Sequence, residues 1–216
     1  EEAYGFQLGP NTPYRKFEAR YVSDIFTKHP EWWDLGDIIL LRSMTSTGKS
    51  TLCERMWKTL KPDAKVLYLC SSRALTYGCA ATFRPDGFQL YNSTRGSLYG
   101  KQRLCCTINS SWRTARKASK KDPEAPPKFP VYDVVCLDES VSICKDLFSP
   151  CTKRFAEVCH ALRNIFRTAK KVIFLDAHIG ATSLELAKIA KRPICFLQNT
   201  WLPSKRLVVY KAKSDK

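Results

Sequence analysis

Short apolar runs punctuate the chain: "DIILL" at 37–41, "KVLYL" at 65–69, "RLCCTI" at 103–108, "YDVVCL" at 132–137, "KKVIFL" at 170–175, "PICFL" at 193–197 and "RLVVY" at 206–210. They are almost continuously hydrophobic and lack polar alternation, which marks strands buried on both faces of a parallel sheet. The stretches between them predict helices over 49–60, 73–82, 109–119, 152–168 and 182–190. In the fourth, Phe155, Val158, Cys159, Leu162 and Phe166 recur at three- and four-residue spacing and form one core-facing stripe. This alternation of strand and helix predicts an α/β fold, doubly wound, with a mainly parallel sheet.

Two segments depart from the rhythm. Residues 1–34, with "LGPNTPYRKFEARYV" and "HPEWWDLG", predict a lead-in: a turn, an amphipathic helix over 14–28 and an aromatic link into the first strand. The segment "RTARKASKKDPEAPPKFP" at 113–130 is basic at its start and proline-rich at its end, so it is expected to be a helix end followed by an exposed connection. We find no internal repeat. The main domain is expected to run from 35 to 212. Because the chain begins Glu1-Glu2 and shows no leader pattern, it is expected to be part of a longer protein.

Charge narrows the partners. Lys and Arg outnumber Asp and Glu by 36 to 20, a formal +16, which favours polyanions such as nucleic acid. No apolar run reaches the roughly 18 residues that a bilayer requires, so no membrane partner is expected. The 10 cysteines include no C-x-x-C pair, and several sit inside apolar runs. They read as buried reduced thiols in a cytosolic or nuclear setting, not as zinc ligands or a secreted disulfide framework.

Candidate chemistry begins where the first long strand ends. "RSMTSTGKST" runs from Arg42 to Thr51 and fits G-x-x-x-x-G-K-[ST] except that Ser43 replaces the first glycine. A phosphate loop needs a buried strand, a tight turn with inward amides and a helix whose N-terminus faces the phosphates. All three are expected here. The nucleotide-binding candidates are therefore Ser43, Met44, Thr45, Ser46, Thr47, Gly48, Lys49, Ser50 and Thr51. Lys49 is placed to reach the β- and γ-phosphates of ATP, and Ser50 to ligate Mg²⁺. Such tetrapeptides also occur by chance, so a second acid motif is the discriminating feature. "VVCLDES" supplies it by placing Asp138 and Glu139 at the C-terminal end of a buried strand, where α/β proteins bind ligands. Asp138 is the expected second Mg²⁺ ligand and Glu139 the residue that orients and deprotonates water.

With these motifs in place, the chain resembles the superfamily 2 helicases, and specifically the herpesvirus-type replication origin-binding protein helicases. In that family a non-glycine residue typically opens the phosphate loop, as Ser43 does here. "VLYLCSSRALT" matches a motif that touches the DNA backbone, implying DNA contacts by Ser71, Ser72 and Arg73. "RLCCTINSSWR" matches R-L-x-x-x-x-x-S-x-x-R, implying Asn109, Ser110 and Arg113 as further DNA contacts. "LDESVSICKDLFSPCTK" matches the acidic motif and its L-[YF]-S-P tail, and "VIFLDAHIGATSLE" matches the third motif, with Asp176, Ala177 and His178 in the coupling positions. His178 stands where a small hydroxyl residue is commoner. The resemblance spans about 35–210. It implies a RecA-like ATP-binding domain that couples Mg·ATP hydrolysis to translocation and unwinding of single-stranded or forked DNA in replication. It further implies a second RecA-like domain not contained in this chain, and a nuclear or viral replication site.

Other features have plainer readings. Arg73 and the amides after Asn109 are either phosphate ligands or solvated helix ends, and their shared sheet edge with Asp138 favours the former. The run "RKASKK" is more often simply solvated. Trp32 and Trp33 read as core packing in preference to an adenine shelf. Two rival functions stay open: another P-loop enzyme such as a nucleotide kinase, and a nucleic-acid-binding module that has lost its chemistry.

Overall fold

The computed structural model describes residues 8–116, 125–150 and 152–202. Its strands are β1 (Tyr14–Phe17), β2 (Ile38–Arg42), β3 (Val66–Cys70), β4 (Gln89–Leu90), β5 (Arg103–Thr107), β6 (Val134–Asp138), β7 (Lys171–Asp176) and β8 (Ile194–Asn199). They form one sheet in the order β1-β8-β2-β7-β6-β3-β5-β4. Every paired neighbour is parallel. The helices are α1 (Val22–Lys28), α2 (Lys49–Thr59), α3 (Arg73–Thr82), α4 (Ser140–Leu147), α5 (Phe155–Thr168) and α6 (Ala181–Lys188).

Strand residues alternate between two cores, which is why the runs are apolar throughout. Ile38, Leu40, Leu67, Leu69, Val135, Leu137 and Phe174 pack with α4, α5 and α6 on one face. Ile39, Leu41, Val66, Tyr68, Cys136 and Leu175 pack with α1, α2 and α3 on the other. The expected doubly wound α/β architecture is thus realised, and all the βα turns gather at one sheet edge. Each of the 9 described cysteines is a free thiol, and Cys151 lies outside the described residues. No helix among the described residues is long and apolar enough to cross a membrane.

Four expectations need correcting. The helix expected over 14–28 is a strand followed by a shorter helix. Tyr14 stacks on Phe196 at 5.7 Å and donates to Gln198 Oε1 at 2.7 Å, so pairing with β8 outweighs local helical periodicity. The helix expected over 109–119 is a 3-10 turn over Ile108–Thr114. Its serines and threonines bond locally, as when Thr114 Oγ1 donates to the Ser111 carbonyl at 2.7 Å, and this competes with α-helical pairing. The connection over 113–130 is anchored rather than wholly exposed. Thr114 and Pro130 are buried, and Arg116 pairs with Lys128 in an antiparallel bridge. Helix α5 begins at Phe155, because Thr152 is buried in the preceding turn and donates to the Asp146 carbonyl. The strand expected at 206–210 lies outside the described residues, as do residues 117–121 of the basic run.

Candidate nucleotide site

The loop between β2 and α2 is built to leave amides unused. Gly48 takes φ +76°, in the left-handed region that glycine enters freely, and caps α2 with no side-chain hydrogen bond. The first four amides of a helix have no intrahelical partner, so those of α2 face outward with the positive end of its dipole. Ser46 also holds a positive φ, +61°.

Ser43, the departure from the usual glycine, belongs to the scaffold behind the loop. It is buried; its Oγ lies 2.7 Å from Thr47 Oγ1, and Thr47 in turn donates to the Met44 carbonyl at 2.7 Å. Asn199 Nδ2, at the end of β8, donates to Ser43 Oγ at 3.0 Å and to the Ala19 carbonyl at 2.7 Å. Asn199 Oδ1 accepts from the amides of Ala19 and Trp201. One buried amide therefore ties the loop, the segment before α1 and the end of β8 together. Parallel register puts Arg42 opposite Gln198, the neighbour of Asn199.

A cleft of about 700 Å³ opens at this edge, lined on the loop side by Thr45, Ser46, Gly48, Lys49, Ser50 and Thr51. Asp138, Glu139, Asp176, Ala177 and His178 face them. The three motifs, distant in sequence, thus share one cavity, whereas Ser43, Met44 and Thr47 stand outside its lining. Lys49 Nζ donates to the carbonyls of Ser43 at 2.8 Å and Met44 at 2.7 Å. Burial holds its pKa below the ordinary lysine value, against the opposing pull of Asp138, Asp176 and Glu139.

The acids are held in different ways. Asp138 is buried, and its Oδ2 accepts from Tyr68 Oη at 2.8 Å. Desolvation raises its pKa, while the tyrosine bond and Lys49 pull the other way. Glu139 is exposed in the cleft and sits at φ +55°, a region that costs a non-glycine residue about 1–3 kcal/mol. Its pKa is raised by desolvation first and then by the charges of Asp138 and Asp176. Asp176 Oδ2 accepts from the Val141 amide at 2.8 Å, capping α4, and its Oδ1 accepts from the His178 amide at 2.8 Å. A single carboxylate thus joins the third motif to the helix that begins after Glu139.

No three His, Cys, Asp or Glu side chains converge as metal ligands among the described residues. Mg²⁺ commonly rests on one or two carboxylates with water and phosphate oxygens, and the donor set of Asp138 and Ser50 fits that mode. Lys49 is already committed to loop carbonyls, so a divalent cation would offset acids that otherwise repel.

The residues nominated for DNA lie farther along the same edge. Ser71 to Arg73 follow β3, and Asn109 and Ser110 follow β5; the two strands are paired through Cys70 and Thr107. Ser72 caps α3 by accepting from the Leu75 amide, and Arg73 is exposed. A recess of about 370 Å³ links Ser72 to Ser50 and Glu139. Asn109 accepts from Thr152, whereas Arg113 turns inward: it donates to the Thr94 and Gly96 carbonyls and lies over Tyr91. Trp32 and Trp33 pack on Phe17 and Phe26, away from the cleft. Sequence reading missed Tyr68, Asn199 and Tyr21, whose ring lies against Gly48 with the Arg20 guanidinium over it at 5.2 Å. The roles of Tyr68 and Asn199 arise from strand register, and that of Tyr21 from the packing of the segment before α1 on the loop, neither of which spacing along the chain reveals.

A family model described as "Origin of replication binding protein" matches residues 32–193. A putative replication origin-binding protein of Acanthamoeba polyphaga mimivirus is 26% identical over 150 residues, covering 67% of this chain and 18% of that protein. The replication origin-binding protein of Varicella-zoster virus (strain Dumas) is 26% identical over 153 residues, covering 69% of this chain and 17% of that one. The chain therefore spans less than a fifth of these relatives. Among solved structures, S. cerevisiae Dbp5 bound to RNA and ADP BeF3 superposes with a TM-score of 0.50 at 14% identity, covering 74% of this chain and 41% of that one. That likeness establishes a RecA-like fold.

Proposed function

The chain belongs to the origin of replication binding protein family, and from that premise we propose that it is the ATP-binding motor domain of a DNA helicase acting in replication. The observation that carries this reading is the meeting of Lys49, Asp138, Glu139 and Asp176 around one cleft at the N-terminus of α2. Amides of the loop and α2 bind the phosphates, and Lys49 exchanges its two loop carbonyls for β- and γ-phosphate oxygens. Ser50 and Asp138 hold Mg²⁺, which supplies charge neutralisation on the phosphates. Glu139 orients the attacking water and takes its proton; burial and the neighbouring Asp138 and Asp176 charges raise its pKa above the ordinary glutamate value, which makes it a stronger base. Asp176, bonded both to α4 and to the His178 amide, relays nucleotide state toward the edge carrying Ser72, Arg73, Asn109 and Ser110. Arg113 acts as a brace for the 94–96 loop in this reading.

A second RecA-like domain completes the motor and the DNA track, and residues 35–212 form the first. A missing arginine finger costs about 10³–10⁵ in rate, so this domain alone should bind ATP far better than it hydrolyses it. The partners are DNA and that second domain, in the nucleus or at a viral replication site. Titration calorimetry with Mg·ATP tests the nucleotide site: Lys49→Ala should weaken binding at least tenfold while preserving the thermal transition. Equal binding by the variant would refute the assignment of the loop.

A further inference from the structure

A separate concavity of about 750 Å³ is lined by Trp112 and Arg113 of the turn Ile108–Thr114 and lies outside the nucleotide cleft. Trp112, Pro127, Phe129 and Ala156 give it flat apolar walls, with Arg113 and His160 at its border. Its aromatic residues are Trp112, Phe129 and His160: Phe129 and His160 have ring centroids 5.7 Å apart, and the Arg154 guanidinium sits 4.2 Å over one face of Trp112. Three exposed cations stand beside lining residues: Arg116 follows Ala115, Lys128 lies between Pro127 and Phe129, and Arg154 sits over Trp112. One acid, Glu157, also lines the concavity; it pairs with Arg154 at 3.4 Å with both side chains more than half exposed, a weak pair that leaves donors of Arg154 available.

An apolar aromatic slot inside a cationic rim combines the two elements by which proteins hold single strands: stacking faces for bases and charges for phosphates. Duplex DNA keeps its bases stacked and offers nothing to fill such a slot. We propose that the Trp112–Phe129 slot takes an unstacked base of single-stranded DNA, with Arg154 and Lys128 on the flanking phosphates. The inference rests on the DNA-binding reading given above and extends it to base contacts by Trp112, at an unspecified position of the 103–113 motif, and by Phe129, outside the motifs.

The experiment is fluorescence anisotropy with two oligonucleotides of equal length, one of thymidylates and one wholly abasic, at low fixed salt. The wild-type protein should prefer the base-bearing strand, and Trp112→Leu should cut that preference by about 5-fold to 100-fold while leaving abasic binding unchanged. His160→Ala, at an exposed position, should reduce the preference in the same direction. Because Trp112 also packs against the core, a 5-iodouridine oligonucleotide is photo-crosslinked to the wild-type protein in parallel. Adducts mapping to Trp112, Phe129 or His160 support the slot, and adducts confined elsewhere overturn it. Equal wild-type affinity for both strands overturns the slot and leaves the DNA reading standing. Failure to bind either strand overturns both.

Discussion

Asn199→Ala tests how the phosphate loop is held. The Asn199 side chain is 5% exposed and makes four hydrogen bonds: to the Ala19 amide and carbonyl, to Ser43 Oγ and to the Trp201 amide. Truncation leaves the Ala19 groups without those partners. A buried unsatisfied group costs about 1–3 kcal/mol, whereas Ser43 can reorient toward Thr47, so we expect a loss of about 2–4 kcal/mol. At about 2–4 °C per kcal/mol for a domain of this size, Tm should fall by roughly 4–16 °C. Ser43→Gly restores the commoner loop sequence yet should destabilise by about 1–2 kcal/mol, because Asn199 Nδ2 and Thr47 Oγ1 each lose a partner. In a double-mutant cycle followed by urea unfolding, the two changes should couple by about 0.5–1.5 kcal/mol. Both single variants should also bind Mg·ATP more weakly, since the loop loses its anchor. If Ser43→Gly is neutral or stabilising and the cycle is additive within about 0.5 kcal/mol, Ser43 is not a pin and the reasoning fails.

Asp138→Asn should abolish ATP turnover yet raise stability near neutral pH. The folded pKa of Asp138 is raised above its ordinary value, so between the two values the folded state holds the extra proton and wild-type stability falls as pH rises. The Tm advantage of the variant should therefore widen from acidic to neutral pH in differential scanning calorimetry, and a pH-independent difference would argue against burial as the cause. Asp176→Ala leaves the Val141 and His178 amides without their acceptor, which should cost about 1–3 kcal/mol of stability. It should also lower DNA-stimulated turnover more than ATP affinity, a split that steady-state kinetics and calorimetry together resolve. Tyr68→Phe removes the hydroxyl that bonds Asp138, so the acid limb of the pH–rate profile should move upward; an unmoved limb would remove Tyr68 from the site.

Much of this fold is legible from pattern alone, because strands buried on both faces must be apolar throughout. The segment 65–69 and β3 differ by a single residue at each end, and the helix expected over 73–82 is α3. The motif residues were legible for a related reason: in a parallel sheet every strand's C-terminal end lies on one edge, so a loop after β2 and acids after β6 and β7 must converge. Contacts set by register and side-chain reach were not legible. Tyr14 looks helical until β8 is beside it, and Asn199 carries no motif until β8 lies next to β2. Helix α4 hides in "SVSICKDL", whose serines and β-branched residues give a weak helical signal until Asp176 caps it from another strand. Arg113 reads as a DNA ligand by motif, yet the carbonyls it meets belong to residues 94–96, which no spacing rule connects to it.

The most direct test of the motor assignment is Mg-dependent ATP hydrolysis with and without single-stranded DNA. It would be measured on this chain and on the polypeptide continued into a second RecA-like domain, each beside Glu139→Gln. We expect slow turnover by this chain, turnover in the longer protein faster by about 10³–10⁵ and raised further by DNA, and its loss in the Glu139→Gln variant with ATP binding retained. Hydrolysis unaffected by Glu139→Gln, or a longer protein that binds DNA and remains inert toward ATP, would contradict it.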